Sequence, residues 1–118
     1  MSDGKSDRDQ LRIVLMIEAA EEATRDSAGG REEFMSDRRS RSVVLLDLIH
    51  LTESADKLSA GFKKAHPDVD WKRLSDLRNR GLVHDYPEAD LEDIWKFVRE
   101  ELPRIRRRLA RVSFRVKK

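Results

Sequence analysis

The chain has 118 residues, no cysteine, few glycines and prolines, and 41% charged residues against 6% aromatics. That length fits one domain with one modest core. The missing thiol excludes disulfide scaffolds, cysteine nucleophiles and thiolate zinc sites, and the scarcity of turn formers argues against a β-rich or low-complexity chain. The net charge of +2 is unevenly placed: residues 99–118 carry nine Lys and Arg against Glu100 and Glu101, a balance of +7, and residues 1–98 sum to −5.

Residues 1–6 are polar, read as disordered, and lack the apolar segment of a secretory signal. No apolar run approaches the ~20 residues of a membrane span, so a cytoplasmic protein is expected. A first helix is predicted from about Asp7 to Arg25, with Leu11, Val14, Leu15 and Ile17, then Ala19, Ala20 and Ala23, as its apolar face. Ser27-Ala28-Gly29-Gly30 ends it, with glycine supplying the positive φ of a helix terminus. Residues 31–36, with Phe34 and Met35, read as a short connecting turn.

The second long helix carries Val44, Leu48, Leu51, Ala55, Leu58, Phe62 and Ala65 at alternating spacings of four and three, an unbroken stripe up to Pro67. Asp70 is placed to cap a third helix that holds Trp71, Leu74 and Leu77 and is interrupted by Gly81. Asp90 is the expected N-cap of a last helix, whose stripe is Leu91, Trp95, Val98, Leu102, Ile105, Leu109 and Val112. Pro103 lies inside that helix and removes one backbone donor, which predicts a kink. The reading is all-α, an antiparallel four-helix bundle, with a domain over 7–112 and a basic tail at 113–118.

Chemistry is concentrated between positions 76 and 86. Asp76, Arg78, Asn79, Arg80, His84, Asp85 and Tyr86 bring a permanent cation, hydrogen-bonding groups, a group that titrates near neutrality and a phenol into eleven residues. Arginine suits phosphate, and histidine moves protons near pH 7. Together they suffice to cleave RNA without metal, because the ribose 2′-hydroxyl supplies the nucleophile. The competing reading is a charged helix end with His84 and Tyr86 as packing groups. On a regular helix Arg80 and His84 fall about 40° apart and Arg78 and His84 about 120°, so a role for Arg78 requires distortion at Gly81 or completion of the site across a dimer seam. His50 lies beside the apolar stripe and reads as a partly buried packing histidine, and His66 as an exposed one. No metal-ligand pattern or phosphate loop is present in the sequence.

Arg78-Asn79-Arg80-Gly81-Leu82-Val83-His84-Asp85-Tyr86 resembles the signature of the HepT-like branch of the HEPN superfamily: an arginine, four to six residues of which the first is asparagine, then histidine, and tyrosine two places on. The resemblance spans roughly residues 8–112 and includes REEFMSDRRSR at 31–41, LTESADKLS at 51–59, HPDVDW at 66–71 and DLEDIWKFVREELPRI at 90–105. It implies a four-helix bundle that dimerises with both motifs near the seam. It also implies a metal-independent endoribonuclease, the toxin half of a type VII-like MNT/HepT toxin–antitoxin pair. Arg78 would hold the scissile phosphate, His84 would transfer protons and Asn79 would support them. Glu53 matches a common acidic position in the preceding helix, suited to orient His84 or pair with an arginine. The implied partner is a minimal nucleotidyltransferase that moves AMP from ATP to Tyr86, so the chain itself needs no cofactor. This sequence has one residue more than many relatives between Arg78 and His84. That added Gly81 leaves Arg80 as a rival arginine. It also leaves open a catalytically idle subunit that only binds the nucleotidyltransferase. A blander alternative is a helical adaptor that binds RNA through residues 104–118.

Overall fold

Alternation of apolar and charged residues at helical spacing dominates this chain, and helices are what it forms. The computed structural model describes residues 4–79 and 90–116, with side chains for 7–79 and 90–112. In chain order the helices are α1 (Gly4–Asp26), α2 (Arg31–Ser36), α3 (Arg38–Asp56), α4 (Ala60–Ala65), α5 (Trp71–Leu77), α6 (Leu91–Lys96) and α7 (Leu102–Val116), with a π turn at Phe97–Glu101 joining the last two. Among the described residues there is no strand. Helical backbone reaches back to Gly4, into the segment read as disordered, and forward through Val116, into the basic tail.

Three long arms enclose the core. Asp9 of α1 meets Ser59, and Asp26 meets Asp47, so α1 and α3 run antiparallel. Arg106 pairs with Glu21 while Arg99 reaches Thr24 and Ser27 at the other end, so α1 and α7 are antiparallel too. Between them are buried Ile13, Met16 and Ala20 of α1, Leu48 and Leu51 of α3, and Leu102 and Leu109 of α7. Short α2 closes one end, where Phe34 stacks against Trp95 with ring centres 5.3 Å apart and Arg31 pairs with Glu92.

Several expectations change at this level. The apolar face of α1 is Ile13, Met16, Ala20 and Ala23, whereas Leu11, Val14 and Leu15 are exposed. Residues 31–36 form a helix rather than a turn, entered through Gly30 at φ 101, a conformation that disfavours any side chain. The second long helix is broken at Lys57–Ser59. The carboxylate of Asp9 accepts the Ser59 backbone N–H at 3.0 Å and the Ser59 hydroxyl at 2.8 Å, and Ser59 Oγ in turn caps α4 by accepting from the Phe62 N–H. Phe62 is only partly buried in consequence, and Ala65 is exposed. His50 is exposed, and His66 packs against Phe62 with ring centres 4.5 Å apart.

The disturbance expected at Pro103 takes the form of the π turn, in which the Leu102 N–H donates to the Phe97 carbonyl five residues back. A regular helix would rotate those two side chains about 140° apart; the π turn brings them into line. The buried set of the arm accordingly reads Ile94, Phe97, Val98, Leu102, Ile105, Leu109 and Val112, with Leu91 and Trp95 only partly buried. The caps foreseen at Asp70 and Asp90 are present, accepting from the N–H groups of Arg73 and Asp93.

Candidate active site

α5 is seven residues long and is held mainly by contact with α3. Leu74 and Leu77 are its buried positions. The Trp71 indole N–H anchors its start by donating to the carbonyls of Lys63 (3.1 Å) and His66 (2.9 Å), which fixes the Pro67 turn beneath it. Arg78 follows Leu77 directly, with φ −60 and ψ −47, so its side chain leaves the end of α5 about a third of a turn from that buried leucine.

The Arg78 guanidinium lies against the end of α3. Its Nη1 is 3.9 Å from Asp56 Oδ2, and the Asp56 side chain is well exposed. Its Nε is buried with no hydrogen-bond partner among the described residues. An ion pair that long and that wet is worth at most about 1 kcal/mol, so the guanidinium keeps most of its donor capacity. Asn79 lies beside it, exposed, with Nδ2 3.5 Å from Ser75 Oγ. Arg80, His84 and Tyr86 lie outside the described residues.

Glu53 stands one turn before Asp56 on α3, is exposed, and faces α1 across a groove of about 330 Å³ shared with Arg12, Leu15, Glu22, His50 and Lys57. The carboxylate beside Arg78 is therefore Asp56, a residue that sequence reasoning missed. Both acids end α3 at a spacing of three, and only the position of α5 decides between them.

The basic segment divides its labour. Arg99 caps the end of α1 through Ser27 Oγ at 3.0 Å and lies over the Trp95 ring, and Arg106 pairs with Glu21. Arg104, Arg107 and Arg111 are exposed. Arg108 joins Lys63 and Lys72 along a groove of about 480 Å³ that also includes Asp68 and Asp70, so cations from α4, α5 and α7 converge there. Asp70 Oδ1 already accepts from the Arg73 N–H. Among the described residues no cluster of three His, Asp or Glu side chains is placed to hold a metal ion, and no helix is long and apolar enough to cross a membrane.

Residues 13–112 match the family model described as ribonuclease HepT-like. A protein of Thermococcus cleftensis named "Probable ribonuclease HepT" is 30% identical over 103 residues, 86% of this chain and 91% of the relative. A second relative, from Methanocaldococcus jannaschii and named as an RNase, is 32% identical over 75 residues, 64% of this chain and 68% of its own. No solved structure matches the chain.

Proposed function

The chain belongs to the ribonuclease HepT-like family, and from that premise we propose that it is a metal-independent endoribonuclease toxin, neutralised by a nucleotidyltransferase antitoxin in a type VII-like pair. The observation that carries the reading is Arg78: it opens the Arg-Asn motif, stands at the end of α5 and is only loosely paired. A guanidinium so placed binds a phosphate through two donors and stabilises the charge that builds on phosphorus. The ribose 2′-hydroxyl attacks the neighbouring phosphorus and the 5′-oxygen leaves, giving a 2′,3′-cyclic phosphate and a 5′-hydroxyl. His84 moves protons in this step, with Asn79 in support and Arg80 as the rival arginine. Lys63, Lys72 and Arg108 give the strand a cationic approach, and binding weakens steeply with salt.

The working unit is a cytoplasmic homodimer joined through the outer face of α1 and α3. Leu11, Val14, Leu15, Val43 and Leu46 of these two helices are between 36% and 54% exposed, large apolar side chains that a partner surface would cover. The groove between the two helices carries Arg12 and Lys57 as well as Glu18, Glu22 and Glu53, and such mixed charge is self-complementary across a two-fold axis. In the antitoxin complex the Tyr86 oxygen attacks the α-phosphorus of ATP, loses its proton and releases pyrophosphate. The attached AMP adds negative charge and bulk beside His84, where the RNA phosphate must sit.

The test is RNA cleavage in EDTA. Arg78→Ala is expected to lower kcat about 10²–10³-fold and His84→Ala about 10²–10⁴-fold. Full activity in either variant overturns the site. The inserted Gly81 keeps a second reading open, an idle subunit that binds the nucleotidyltransferase and leaves RNA intact.

A further inference from the structure

Arg73 holds α5 to the arm that follows the motif. Its Nε and Nη2 donate to Glu101 Oε1 and Oε2 at 2.9 and 3.0 Å, and its Nη1 and Nη2 donate to Asp93 Oδ2 and Oδ1 at 3.3 and 3.2 Å. The guanidinium carbon lies 5.2 Å from the centre of the fully buried Phe97 ring. The Arg73 side chain is 18% exposed, and its hydrogen bonds to Glu101 and Asp93 raise its already high pKa. All three guanidinium nitrogens are thus committed, and Nη2 alone reaches both elements.

We propose that Arg73, Asp93 and Glu101 form a clamp that positions the catalytic motif, making Arg73 a positioning residue for the ribonuclease reaction. Arg73 lies five residues before Arg78, and Asp93 nine residues after His84, so the clamp joins the chain entering the motif to the chain leaving it. α5 is far below the length at which a helix holds by itself, and its main packing among the described residues is against α3, with Arg78 near Asp56; the clamp adds a polar tie to α6. A partly buried arginine between two carboxylates is also a poor way to gain stability alone, since an apolar group of similar volume does as well or better. What it supplies is fixed geometry: two bidentate contacts define the guanidinium plane, and therefore the distance and angle between α5 and α6.

This inference rests on the assignment of Arg78 and His84. Its test is the set Arg73→Lys, Arg73→Met and Glu101→Gln, with RNA cleavage in EDTA, thermal melting and the imidazole NMR signals of His84 measured on each. Lysine keeps the charge but cannot bridge both carboxylates, so kcat is expected to fall about 10- to 100-fold. KM is expected to stay within a few-fold, melting to move little, and the His84 signal to shift in position and titration. Glu101→Gln, which keeps a hydrogen-bond acceptor, is expected to lose less than either Arg73 variant. Arg73→Met keeps apolar volume and separates packing from geometry: an active Arg73→Met enzyme with an unmoved His84 signal overturns the clamp. If instead wild type cleaves no RNA, the ribonuclease assignment fails, while the His84 signal still decides whether Arg73 positions the motif.

Discussion

Asp47 is buried on α3 with one carboxyl oxygen lacking a hydrogen-bond partner among the described residues. Burial pushes its carboxyl up to about 8, helped by the hydrogen bond with Asp26 and by the charges of Asp26 and Glu22, and Arg25 offsets this in part. A hydrogen bond between two carboxyls needs a proton, which the raised Asp47 carboxyl supplies. Because the folded state binds that proton more tightly than the unfolded chain, its advantage is complete below about pH 4. It is lost as pH rises toward 8, at about 1 kcal/mol per pH unit. Asp47→Asn keeps the shape and removes the titration. Urea unfolding at several pH values is expected to show the stability difference between wild type and this variant widening in the variant's favour from pH 4 to 8 and flat above. A constant difference refutes the shared proton. Arg78 and Asn79 stand out in the sequence by their spacing to His84 and Tyr86. The partnership of Arg78 with Asp56 does not, because Glu53 and Asp56 are equivalent in one dimension.

At the scale of elements, local signals were readable and distant ones were not. Asp70 and Asp90 cap helices three residues before the N–H groups they accept from, a relation contained in a few residues. The stripe from Val44 to Phe62 points to a continuous helix, yet the chain breaks at Lys57–Ser59 because Asp9, fifty residues earlier, accepts the two Ser59 donors. Asp9→Ala strands those donors in a partly buried place and is expected to cost about 1–3 kcal/mol, lowering Tm by several degrees. An unchanged Tm refutes the contact as a structural tie. The face of α1 was misjudged for another reason. Leu11, Ile13, Val14, Leu15, Met16 and Ile17 offer apolar side chains all round the helix, so the pattern does not select a direction, and contact with α3 and α7 does.

At the scale of the molecule, the three apolar positions left exposed on α1 are as informative as those it buries. Together with Val43 and Leu46 they are the exposed apolar residues proposed to meet a second copy. Leu46 is 51% exposed in one chain, so Leu46→Lys should cost an isolated subunit little and a dimer much. Light scattering is expected to give twice 13.8 kDa for wild type and half that for the variant. A monomeric wild type, or a variant that still pairs, refutes the face. The all-α architecture followed from heptad stripes and the scarcity of turn formers. The uneven charge proved less simple than its sum, since Arg99 and Arg106 serve α1 while Arg108 joins Lys63 and Lys72 at one groove. The most direct measurement of the central claim is the chemistry of the RNA ends produced in EDTA. Attack by the ribose hydroxyl predicts 2′,3′-cyclic phosphate and 5′-hydroxyl termini from wild type and none from His84→Ala. Termini with a 3′-hydroxyl and a 5′-phosphate, or cleavage only on addition of a divalent metal, contradict it.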